Sequence, residues 1–108
     1  DCRESPALQI IEILLAHDVK IKLYDPKAMD NTKAILKDMV TYCSAAYEAI
    51  GGTDVLAVLT DWDEFRTLDL AKIKQLMARP QIADYRNIFD CKKAKELGFE
   101  IKSLGRKL

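Results

Sequence analysis

The sequence predicts an α/β fold built as a three-layer, doubly wound parallel sheet, and three observations carry the prediction. Helix-like and strand-like segments alternate along the whole chain of 108 residues, the order that parallel β-α-β units require. Val55–Leu59 is a continuous apolar run of strand length, the pattern of a strand buried on both faces of a parallel sheet. Polar or charged residues follow directly on apolar strands, at Asp25-Pro26, Thr60-Asp61-Trp62, Asp84-Tyr85-Arg86-Asn87 and Gly105-Arg106. Those are the carboxyl ends, where such sheets hold their ligands.

The elements follow in order. Ser5 and Pro6 form a helix start, with Ser as N-cap and Pro at the first helical position. Leu8, Ile11, Leu14 and Leu15 give that helix one apolar face, and it ends near His17-Asp18. Val19–Tyr24 alternates as a strand, broken by Asp25-Pro26. Met29–Lys37 reads as a polar helix with Ala34, Ile35 and Met39 as its apolar side, and Val40–Cys43 as a short strand. Ser44 caps a helix that runs through Ile50 and closes at Gly51-Gly52. After the Val55–Leu59 strand, acidic residues begin a helix beyond Trp62, continued by Leu70, Ile73, Leu76 and Met77 and ended by Pro80. Gln81–Asp84 is a strand, Ala94–Leu97 belongs to a helix closed by Gly98, and Phe99–Leu104 is the last strand. Five parallel strands with helical crossovers make a Rossmann-like sheet.

The length suits one domain spanning residues 1–108. Seventeen basic residues balance seventeen acidic ones, so the chain has no general attraction for nucleic acid or an anionic membrane. It carries no signal-peptide pattern and no apolar run approaching the roughly 18 residues of a membrane span. Cys2, Cys43 and Cys91 are an odd number without C-x-x-C spacing, which points to free thiols in a reducing cytoplasm. The chain opens on Asp1 with no initiator Met, and reads as a piece of a longer protein.

Several chemical devices are missing. No G-x-G-x-x-G follows a strand, and Gly51-Gly52 precedes one. There is no P-loop, and no Cys has a His nearby in sequence. His17 at a helix end suits the negative end of the helix dipole better than catalysis. Asp61, Asp63 and Glu64 could hold a magnesium ion, but acidic residues in a first helical turn are more simply explained by the dipole, and no metal is expected. Trp62 and Phe65 read as packing residues before nucleobase-stacking ones. Arg3, Arg66, Arg86 and Arg106 match phosphate oxygens in geometry; Arg3 and Arg86 stand out because each sits within a motif. Without a nucleotide fingerprint or an activated Cys, this chain alone should catalyse no reaction.

The ordered set of motifs resembles one family. Asp1-Cys2-Arg3-Glu4-Ser5-Pro6-Ala7, Tyr24-Asp25-Pro26, Leu59-Thr60-Asp61-Trp62-Asp63-Glu64-Phe65, Asp84-Tyr85-Arg86-Asn87, Gly98-Phe99 and Gly105-Arg106 resemble the C-terminal, UDP-binding domain of the UDP-glucose and GDP-mannose dehydrogenases, most closely those acting on UDP-glucose. The resemblance implies a parent that oxidises a UDP-sugar's primary alcohol to a carboxylate in two NAD-linked steps. It implies an N-terminal domain that carries the NAD fingerprint and a catalytic Cys, and a helical middle domain that makes a homodimer. It assigns Arg3 to NAD and Arg86 to the nucleotide sugar. None of the three cysteines here has the family's Gly-Gly-Ser-Cys context, so no catalytic residue is expected in this stretch. The family also has a strand and a substrate-contacting Phe-Lys segment just before the position of Asp1, so the sheet is expected to lack its first strand here.

Three alternatives stand beside this reading. One is a dehydrogenase of UDP-N-acetylmannosamine or another nucleotide sugar. A second is a phosphoacceptor receiver domain, for which Asp25 lacks the acidic partner and the later Lys. A third is an assembly module that binds no UDP.

Overall fold

The computed structural model describes residues 6–27 and 29–103. Along the chain run α1 (Pro6–Ala16), β1 (Lys22–Leu23), α2 (Met29–Leu36), β2 (Thr41–Tyr42), α3 (Ala46–Ile50), β3 (Leu56–Val58), α4 (Asp63–Arg66), α5 (Leu70–Leu76), β4 (Gln81–Asp84), α6 (Cys91–Glu96) and β5 (Glu100–Ser103). All five expected strands are present and every pairing is parallel. They form two ladders, β1-β2 and β3-β4-β5, instead of one continuous sheet. The chain divides correspondingly into two compact units, Asp1–Ala49 and Ile50–Leu108.

In the first unit Lys22 pairs with Thr41 and Leu23 with Tyr42. The ladder is shorter than Val19–Tyr24 and Val40–Cys43 because a strand extends only as far as its partner: Val40 ends the turn after α2 and Ser44 begins the turn into α3. Leu8, Ile11, Leu36, Val40, Cys43 and Ala46 are buried. The expected apolar side of α2 is corrected. Thr32 and Leu36 are its buried residues, whereas Ala34 is exposed and Met39 is 53% exposed. Thr32 and Leu36 stand four apart on one stripe, and the β-branched Thr fills that stripe where the larger Met39 lies beyond the helix end. His17 behaves as expected of a helix terminus: its Nδ1 donates to the Ile13 carbonyl at 2.9 Å. Ser44 does not cap α3 directly. The Glu48 carboxylate reaches back and accepts from Ser44 N (2.8 Å) and Ser44 Oγ (3.1 Å), tying the chain just ahead of the helix to its first turn.

In the second unit β4 lies between β3 and β5. The register stacks Leu56, Ile82 and Ile101 on one face, with Val58, Asp84 and Ser103 a step further along it. That face carries the buried Val58, Ile82 and Asp84, and the unit's core continues through Ile73, Met77, Ala94 and Phe99. The single helix expected beyond Trp62 is two. Thr67 Oγ1 donates to the Glu64 carbonyl at 2.7 Å and ends α4. Asp69 then starts α5 as an N-cap, accepting from Ala71 N at 2.9 Å. Helix α5 stops before Pro80, with Met77 already extended at φ −77°, ψ 148°. Asp90 caps α6, accepting from Lys92 N and Lys93 N at 3.0 and 3.3 Å. Gly98, at φ +96°, closes α6 in a conformation that disfavours a side chain.

Candidate functional site

Parallel pairing of Val58 with Asp84 sends the chain after β3 and the chain after β4 out at the same end of the sheet. Tyr85 N donates to the Val58 carbonyl at 3.0 Å and ties the two exits together. This is the carboxyl end, where the strands' unpaired main-chain groups and the starts of the following helices meet a ligand.

Asp61, exposed on the first exit, forms a salt bridge and hydrogen bond with Arg66 of α4. That hydrogen bond holds the Asp61 carboxyl below its ordinary range, against some burial, and the charges of Arg66 and Arg86 add to it. The same hydrogen bond raises Arg66, helped by the charges of Asp61, Asp63 and Asp84. Asp61, Arg66, Asp84 and Arg86 therefore share one electrostatic neighbourhood. Arg66 is matched by Asp61, whereas the exposed Arg86 guanidinium takes no hydrogen bond or ion pair among the described residues. It is a cation available to an anionic ligand. Trp62 is half-buried, and its Nε1 is a buried donor with no hydrogen-bond partner among the described residues.

Arg86 is presented by an ordered turn. The Asp84 side chain is fully buried (0% exposed). Its Oδ1 accepts from Arg86 N at 3.1 Å and its Oδ2 from Phe89 N at 2.9 Å. Between those two anchors Asn87 takes φ 55°, in the left-handed region that Asn tolerates better than most side chains.

Asp63 and Glu64 occupy the first turn of α4, as the dipole reading requires. Among the described residues no group of three His, Cys, Asp or Glu side chains comes together to hold a metal ion. Cys43 is buried and free, and Cys91 is free with Sγ 2.8 Å from Ser103 Oγ. Burial, with the charge of Glu48 and against that of Lys22, pushes the Cys43 thiol up, which makes it a poorer nucleophile. Arg3, Gly105 and Arg106 lie outside the described residues.

The first unit has its own opening at the carboxyl ends of β1 and β2, an open cleft of about 390 Å³ lined by Tyr24, Asp25, Met29, Lys33, Tyr42 and Cys43 among others. Lys33 Nζ lies 5.4 Å from the Tyr42 ring centroid. Tyr42 Oη donates to the Lys37 carbonyl at 2.6 Å, and burial, with the charge of Asp38, raises its pKa. Sequence reasoning located Asp25-Pro26 at this end but not the Lys33–Tyr42 pair, whose members lie on different elements. It also treated Asp84 as one of a polar run. An Asp ending an apolar strand two residues before an amide it can bond is an Asx-turn signal, and that signal was available.

A parallel α/β unit with charged turns at the carboxyl ends of its strands belongs to the class that binds small molecules there. Residues 1–91 match the UDP-glucose/GDP-mannose dehydrogenase family, UDP binding domain, and the chain belongs to that family. It is 39% identical over 106 residues to the UDP-glucose 6-dehydrogenase TuaD of Bacillus subtilis, covering 98% of this chain and 23% of that protein. It is 38% identical over 109 residues to a UDP-glucose 6-dehydrogenase of Rickettsia typhi, covering 100% of this chain and 25% of that protein. A Pseudomonas aeruginosa UDP-glucose 6-dehydrogenase is 35% identical over 111 residues, covering 98% of this chain and 24% of that one. The chain thus spans about a quarter of the length of the relatives it matches. Among the described residues no helix is long and apolar enough to cross a membrane.

Proposed function

We propose that this chain is the UDP-sugar-binding domain of an NAD-dependent UDP-glucose 6-dehydrogenase that converts UDP-glucose to UDP-glucuronate. The observation that carries the reading is Arg86: an exposed guanidinium at the carboxyl end of β4, on a turn fixed by a buried carboxylate, in a domain whose family binds UDP. A guanidinium offers paired N–H donors to a diphosphate. The three relatives compared above, which cover 98–100% of this chain, each carry the name UDP-glucose 6-dehydrogenase, which supports glucose over another sugar.

In this reading the whole protein removes two hydrides from the sugar's primary alcohol, one per NAD, and a water supplies the second carboxylate oxygen. This domain contributes no catalytic residue. It binds the UDP end of the substrate through Arg86, and Arg3 reaches the NAD held mainly by the N-terminal domain. The whole protein is a cytoplasmic homodimer with neither nucleic acid nor a membrane as partner.

Titrating the full-length protein with UDP-glucose, UDP-N-acetylmannosamine and GDP-mannose, each with excess NAD, tests the assignment. Two NADH formed per UDP-glucose, with far slower turnover of the other two, is the expected result. No NADH from UDP-glucose, or faster turnover of another sugar nucleotide, overturns it.

A further inference from the structure

We propose that Asp84 is a positioning residue, whose buried carboxylate sets the turn that aims Arg86 at the UDP diphosphate. The inference rests on the UDP-binding reading above and deepens it.

A carboxylate taken out of water is costly unless its oxygens are hydrogen-bonded. Asp84 is 0% exposed and stands in the middle strand, with Val58 and Ser103 as its ladder neighbours. Its two hydrogen bonds are to main-chain N–H groups, one per oxygen: Arg86 N at 3.1 Å and Phe89 N at 2.9 Å. Those bonds bracket residues 86 to 89. The bracketed turn contains the left-handed Asn87 (φ 55°), a conformation that persists where its surroundings hold it. Asp84 is anchored in a ladder bonded on both sides, so the turn inherits the rigidity of the sheet. The carboxylate accepts the amide of the very residue whose side chain points out uncommitted. Among the described residues the other arginine of this neighbourhood, Arg66, is already matched by Asp61. Among the described residues, what Arg86 can offer a diphosphate therefore depends on where this turn holds its guanidinium.

The test is a double-mutant cycle in the full-length protein, with UDP binding read by calorimetry and folding by thermal melting. Asp84→Asn keeps the side chain's size and can accept one N–H, but its amide nitrogen cannot accept the other. Arg86→Ala should weaken UDP by about ten- to a hundredfold, the loss of one charge-assisted contact. Asp84→Asn should weaken it about five- to twentyfold, and the double variant should bind no more weakly than Arg86→Ala alone, because the two act as one unit. Losses that multiply, or an unchanged affinity in Asp84→Asn, would overturn the positioning role and leave Arg86 as a contact. An unchanged affinity in Arg86→Ala would instead remove the UDP contact, and the positioning role with it. If Asp84→Asn does not fold, Asn87→Pro distorts the same turn from its exposed side, since a proline cannot adopt φ 55°. Weakened UDP binding that vanishes in the Arg86→Ala background supports the proposal, and unaltered binding defeats it.

Discussion

Replacing Ile73 by Ala probes the core of the second unit. Ile73 lies on α5 and is 0% exposed, among the largest fully buried side chains. The substitution deletes three carbon groups, worth about 0.8 kcal/mol each on transfer, or about 2.4 kcal/mol. The cavity left behind adds to this, so a total of about 3–5 kcal/mol is expected. A chain of 108 residues has a folding stability on the order of 5–15 kcal/mol, so the loss is a large share of the whole. Trp62 is the single tryptophan and belongs to the same unit as Ile73, so its fluorescence in a urea titration reports the relevant transition. The midpoint should fall steeply with the slope unchanged. Ile13, 60% exposed on α1, serves as the control, and its replacement by Ala should change stability by no more than about 0.5 kcal/mol. A loss below about 1 kcal/mol for Ile73→Ala, or equal losses for both variants, would refute the placement of the core.

Other perturbations have equally definite outcomes. Hydrogen bonds from Ser44, and a weaker one from Ala45, lower the Glu48 pKa below its ordinary value near 4.5. The stabilisation is therefore full above the unfolded-state pKa and is lost as pH falls through the lower folded-state value. Glu48→Gln should flatten that acid limb of stability against pH, and an unaltered limb would show that the carboxylate does not hold the α3 turn. Asp90→Ala removes the α6 cap and should cost about 1 kcal/mol in urea unfolding; no loss would mean the cap contributes nothing. Arg3→Ala in the full-length protein should raise the KM for NAD about ten- to a hundredfold with an unchanged melting temperature. An unchanged KM would remove the cofactor role.

Much of the fold was legible because period and punctuation agree. Gln81–Asp84 is a strand end to end, and the helices opened by Pro6 and closed by Gly98 and Gly51-Gly52 run as their signals indicate. Ladder lengths were not legible, since Val19 and Val40 look like strand residues alone and only the partner decides which amides pair. The Thr67–Asp69 break was misread because apolar spacing carries across it, while the stop comes from a Thr hydroxyl and a new Asp cap. At the site, strand-end chemistry pointed to Arg86. The burial of Asp84 depends on the sheet register, which a linear pattern does not encode.

On the reading proposed above, the UDP-sugar meets this chain at the carboxyl end of β3 and β4. Amide hydrogen exchange of the full-length protein, with and without UDP-glucose, tests it most directly. New protection is expected across residues 59–62 and 84–89, with little change in the Tyr24–Ser44 cleft. Protection confined to that cleft, or none in this domain at saturating ligand, would contradict it.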